Sequence, residues 1–144
     1  MNDLGVFFLA VLGGVAIAIQ GQFMGLMTQI MGPRESILVT YAGGMAIAVL
    51  LVLSTQDNNL KAWPLVPWYA LTAGAFGLII VGTIGFVVPR LGLATGFGVI
   101  VATQFIFGVL IDQFGLFGAD IRPIDLPKLV GLGLIVSGVA LMGR

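Results

Sequence analysis

From Leu4 to Ile30 the sequence holds no charged residue, and four further apolar stretches follow it. A helix of roughly 20 mostly apolar residues crosses the hydrocarbon of a bilayer, where only helices and closed barrels satisfy every backbone group. Charges and prolines punctuate the stretches at four places, which predicts five spans at about 4–30, 36–54, 67–88, 91–111 and 127–142 in a single membrane domain. Gly32-Pro33-Arg34-Glu35 ends the first span, Gln56-Asp57-Asn58-Asn59 the second, Val88-Pro89-Arg90 the third and Asp112 the fourth. The segment from Gln113 to Leu126 separates the last, and Pro127 sits in its first turn, where a missing N–H costs nothing. Trp63, Trp68 and Tyr69 stand where an aromatic belt meets the headgroups. Met1-Asn2-Asp3 has no basic n-region and the following run has no cleavage context, so the first helix is expected to be retained. The expected fold class is therefore all-α integral membrane, a five-transmembrane-helix bundle.

Composition closes off most other functions. Apolar residues make up 59% of the 144 positions and charged ones 8%, too little polar surface to cover a soluble domain of this size. Six basic residues face six acidic ones, so no basic field exists for nucleic acid. The absence of histidine and cysteine removes imidazole and thiolate chemistry, and no metal site or cofactor is expected. No nucleophile stands beside a base and no glycine run has a phosphate-loop context, which argues against an enzyme.

Turns as tight as Pro33 to Glu35 and Pro89 to Leu91 join antiparallel neighbours, so helices 1 and 2 and helices 3 and 4 read as hairpins with helix 5 left over. No internal repeat supplies a second half. Arg34, Arg90 and Arg144 fall on one side of the membrane, and Lys61, Arg122 and Lys128 on the other. Orientation follows the Lys/Arg imbalance of short loops, so this tie predicts insertion in both directions and an antiparallel homodimer. The competing reading is an accidental tie, with one orientation fixed by the long first helix.

Inside lipid, helices associate by close backbone approach through small residues four apart. Gly21 and Gly25 form such a pair, as do Gly92 and Gly96, then Gly133 and Ser137, with Gly74, Gly77 and Gly82 in a looser series. Polar groups at membrane depth are costly and so point to function. Gln20 is the deeper glutamine of helix 1, while Gln22 lies about 200° away around the helix. On helix 4, Gln104, Gly108 and Asp112 share one face, with about 12 Å of rise between amide and carboxylate. Two readings fit that stripe: a polar lining, or an interhelical hydrogen bond from Gln104 with Asp112 at the wet helix end. Tyr41, Phe97 and Phe107 are aromatic candidates for a cavity lining.

Several stretches together resemble the YdcZ-like five-helix family of the drug/metabolite transporter superfamily. They are Ile19-Gln20; Pro67-Trp68 with Gly74 and Gly77; Pro89-Arg90-Leu91-Gly92; Gln104 with Ile111-Asp112-Gln113-Phe114-Gly115-Leu116-Phe117-Gly118; and Lys128-Leu129 with Gly131 and Gly138. The resemblance implies an exporter of small molecules in the bacterial inner membrane, folded as half of a ten-helix transporter. In relatives two oppositely oriented halves are paired or fused. Two departures stand out: Met24 where an asparagine often follows the first-helix glutamine, and Thr103 where a glycine often precedes the fourth-helix one. The expectation is an antiparallel homodimer moving a small molecule by alternating access. Gln20, Tyr41 and Gln104 would contact a polar or weakly cationic substrate, and Asp112 would act as gate or proton-coupling group. A passive channel and a structural subunit of a membrane complex are the alternatives.

Overall fold

The computed structural model describes residues 3–55 and 59–143. Met1, Asn2, the Gln56-Asp57-Asn58 part of the second interruption and Arg144 of the charge tie lie outside the described residues. Among the described residues the regular structure is helical, with no strand. Helix α1 spans Asp3–Met31, α2 Pro33–Ser54, α3 Ala73–Leu91, α4 Leu93–Phe114 and α5 Leu126–Met142. Short 3-10 turns at Leu60–Leu65 and Ala70–Thr72 precede α3, and another at Leu116–Gly118 follows α4. Four helical stretches are long and apolar enough to cross a membrane: Leu4–Met31, Pro33–Ser54, Ala70–Leu91 and Leu93–Phe114. The fifth, α5, is apolar but only 17 residues long. At about 1.5 Å per residue it reaches about 25 Å, short of a hydrocarbon core of about 30 Å.

The helix ends depart from the expected boundaries for local reasons. Pro33 opens α2 instead of lying in a turn, because the first helical position needs no N–H donor. The break is Gly32 alone, at φ 94° and ψ 164°, a region essentially reserved for glycine. Pro89 lies inside α3, where a proline in the last turn forfeits a single backbone bond, and the helix runs on to Leu91. It stops at Gly92, whose φ 79° and ψ 161° nearly repeat those of Gly32. Asp112 does not end α4: the helix continues to Phe114 and is closed by Gly115 in the left-handed conformation, whose N–H bonds to the Ile111 carbonyl.

The chain divides into two compact units, Met1–Pro89 and Arg90–Arg144. In the first, α1 and α2 pack along each other and α3 closes on the end where they are joined. Its core is small and built from Met24, Val81, Ile84 and Val88, with Met24 1% exposed. Ser36, fully buried, donates to the Pro33 carbonyl (3.0 Å) and shares a hydrogen bond with the Thr28 hydroxyl (2.9 Å), so no polar atom is left stranded where α1 turns into α2. Glycines let α3 approach: a Cβ at Gly25 would stand 3.1 Å from Val88 Cγ1, and one at Gly82 3.3 Å from Ile37 Cδ1.

In the second unit α4 and α5 pack antiparallel. At one end Gly98 lies against Val139 and Met142, and the Thr95 hydroxyl donates to the Met142 carbonyl at 3.2 Å. At the other end the connecting loop is tied down by several hydrogen bonds. Arg122 N–H donates to the Asp112 carbonyl (2.9 Å) and Ile124 N–H to the Gln113 side-chain oxygen. Lys128 Nζ donates to the Arg122 and Pro123 carbonyls, and the Asp125 carboxylate caps α5 by accepting from Lys128 N–H.

Most large apolar side chains elsewhere on the helices are exposed, among them Phe7, Phe8, Leu12, Leu38, Met45 and Leu134. A water-soluble fold could not leave that surface bare; lipid can cover it. Trp63 and Trp68 are also exposed, and Trp68 meets Tyr69 edge-on with ring centroids 6.1 Å apart.

Candidate functional site

The first unit holds two open clefts that share a wall. One, about 480 Å³, is lined by Gln20 of α1, Thr40, Tyr41, Gly44, Met45 and Ala48 of α2, and Val81 of α3. The other, about 420 Å³, is lined by Ala16, Ile19, Gln20, Phe23, Met24 and Met27 of α1, with Thr40. Gln20 and Thr40 belong to both. Each volume falls in the range of about 300–1,000 Å³ usual for small-molecule pockets.

Local structure accounts for each lining residue. Gln20 stands eleven residues before the end of α1, about 16 Å along the axis, close to the middle of a core about 30 Å thick. Thr40, Gly44 and Ala48 recur every fourth residue and so form one strip along α2, with small side chains that leave the cleft open. Tyr41 is half-buried beside that strip. Its hydroxyl has room because residue 77 of α3 is glycine: a Cβ there would run into the Tyr41 hydroxyl. Thr40 is held from behind. Its hydroxyl lies 2.8 Å from the Ser36 carbonyl and 2.7 Å from Met24 Sδ, and with a single proton it donates to one of them at a time. Among the described residues neither the Gln20 amide nor the Tyr41 hydroxyl has a hydrogen-bonding partner.

The structure thus brings Gln20 and Tyr41 to the same cleft. Gln104 and Asp112 stand in the second unit, on α4. Gln104 is exposed, Asp112 half-buried, and a Cβ at Gly108 between them would meet nothing within 4 Å, so that face of α4 is open. The Asp112 carboxylate has no partner among the described residues, while its main-chain carbonyl anchors the loop at Arg122. The neighbouring Gln113 is structural in the same way through Ile124.

Of the expected packing glycines, Gly21, Gly25 and Gly96 are buried, and Gly25 is pressed against Val88 and Pro89. Gly92 differs: it is exposed, with no atom within 4 Å of a Cβ, and what it supplies is the break between helices. The Ser137 hydroxyl is used within α5, donating to the Gly133 carbonyl at 2.7 Å.

Sequence reasoning missed Thr40, Met27 and Val81, and the place of Met24 in the core. Thr40, Gly44 and Ala48 were findable as a strip of small residues at helical spacing. Met24 is a core group whose thioether faces the Thr40 hydroxyl.

Comparison with known proteins adds one finding. A family model described as "Putative inner membrane exporter, YdcZ" matches residues 5–141. Searches of curated proteins and of solved structures returned no match.

Proposed function

We propose a mechanism for this chain, which belongs to the YdcZ family of inner-membrane exporters, in which the Gln20–Tyr41 cleft binds a small polar molecule and passes it across the bilayer by alternating access. The observation that carries this is the cleft itself: the Gln20 amide and the Tyr41 phenol, neither with a hydrogen-bonding partner among the described residues, line one open cavity between span-capable helices. A polar group in hydrocarbon without a partner is expensive, and a transported solute is a partner that comes and goes. Gln104 is proposed as a further substrate-contacting amide of the transport path. Asp112 is proposed as its gate or proton-coupling group, its carboxylate being free of other ties among the described residues.

The working unit in this reading is an antiparallel homodimer. Its support is the three-to-three split of Lys and Arg read from the sequence and the wide apolar surface the helices leave exposed. Reporter domains fused after Arg144 should be active on both sides of the membrane; activity confined to one side refutes dual insertion. For the site, purified protein in liposomes should lose most uptake of a ligand-screen hit on Gln20→Ala or Gln104→Ala. Wild-type rates in both variants would remove the assignment.

One observation favours a second reading, a passive channel: the lining of both clefts holds no acidic residue that could couple transport to protons. Flux separates the two. A carrier saturates and shows counterflow, whereas a channel gives conductance in a planar bilayer.

A further inference from the structure

The reading of the Gln20–Tyr41 cleft as the binding site leaves the chemistry of its occupant open, and the lining restricts it in three ways. First, no charged residue lines either cleft. At the depth of Gln20, an ion bound without a counter-charge loses its hydration and gains little, a penalty of roughly a hundredfold in binding. One tyrosine ring recovers only part of that for a cation.

Second, the polar groups of the lining are not equivalent. The Thr40 proton is taken up inside the protein, by the Ser36 carbonyl or Met24 Sδ, so toward the cleft its oxygen can only accept. The Gln20 carboxamide offers two N–H donors and a carbonyl, and the Tyr41 hydroxyl offers a donor. A ligand that only accepts leaves Thr40 and the Gln20 carbonyl unserved; one that only donates wastes the amide N–H and the phenol.

Third, apolar walls extend from both sides of that polar point: Val81, Met45 and Ala48 in one cleft, Ile19, Phe23 and Met27 in the other. The thioethers of Met45 and Met27 are unbranched and adaptable, which suits apolar bodies of varied shape.

The geometry points to a neutral amphiphile as the substrate class: a molecule with an uncharged head that both donates and accepts hydrogen bonds, a primary amide being the best match, and an apolar body lodged in the clefts beside Gln20 and Thr40. This rests on the cleft being the substrate site and goes further by excluding ions from it.

The test uses the intact protein in lipid nanodiscs and four probes of one chain length: hexanamide, N,N-dimethylhexanamide, hexylammonium and hexanoate at neutral pH. The unfolding midpoint is followed against the membrane-corrected concentration of each. Hexanamide should act at concentrations about tenfold lower than its dimethyl analogue, which lacks the N–H donor. It should act roughly a hundredfold below both ions. Gln20→Ala should erase the preference over the dimethyl amide. Gln20→Glu, which keeps the size and supplies the missing counter-charge, should shift the preference toward hexylammonium. If an ion acts as strongly as hexanamide and its effect depends on Gln20, the neutral class is wrong while the site stands. If hexanamide acts equally on wild type and on Gln20→Ala, the site itself is wrong. No shift with any probe also overturns the proposal.

Discussion

Gly85→Ala is the sharpest probe of how α3 is seated. A Cβ at position 85 would lie 2.6 Å from the Thr28 hydroxyl oxygen, a distance that cannot be held, while Met24 Cε at 3.6 Å and Thr28 Cβ at 3.7 Å are ordinary contacts. The clash can be relieved by turning Thr28 about χ1, but that carries its oxygen away from Ser36, now 2.9 Å distant, and gives up a hydrogen bond worth about 1 kcal/mol. The alternative is to push α3 outward, and overpacking of this kind costs about 1–3 kcal/mol. Alanine returns about 1 kcal/mol through helix propensity. Set against that return, the net expectation is a loss of up to about 2 kcal/mol, read from the unfolding midpoint by circular dichroism during SDS titration in mixed micelles. In a Thr28→Ala background the offending oxygen is gone, so Gly85→Ala should be neutral or stabilising by up to about 1 kcal/mol. An equal cost in both backgrounds would refute the packing described for α3.

Gly77→Ala should displace the Tyr41 hydroxyl and raise the KM for transport with little change in expression, and adding Tyr41→Phe should relieve the clash without restoring the KM, since the hydroxyl that the new methyl meets is also the one offered to the substrate. Asp125→Ala removes the side-chain cap of α5 and should cost about 1 kcal/mol in thermal or SDS unfolding. Gln113→Ala leaves the Ile124 N–H without its acceptor and should cost a similar amount, about 1 kcal/mol, with transport unchanged; a transport defect at native stability would give Gln113 a role beyond the loop.

The helices were legible in the sequence because charges, prolines and glycines interrupt apolar runs at intervals that lipid thickness dictates. Their ends were less so. Pro33 and Pro89 read as turns, yet one begins a helix and the other lies within a last turn, because proline interferes only where its N–H would have been used. In both cases the following or preceding glycine carries the break. Gln20 and Tyr41 stood out as polar or aromatic groups at membrane depth, and that chemistry survives any detail of packing. Thr40, Val81 and Gly85 did not, since their part is set by how three helices cross, and a threonine or glycine in an apolar helix is unremarkable until its neighbour across the interface is known. Met24 shows the same limit from the other side: its place in the core follows from Thr40 sixteen residues away.

The one-residue link at Gly32 bears on how the protein is made. With only Gly32 between Met31 and Pro33, α1 and α2 have no loop that could wait in water while the other helix is handled. The two helices are coupled as one hairpin, and Arg34 and Glu35, just past its bend, share the side of the membrane that the bend occupies. Whichever side the bend takes, the two helices take their direction from it together.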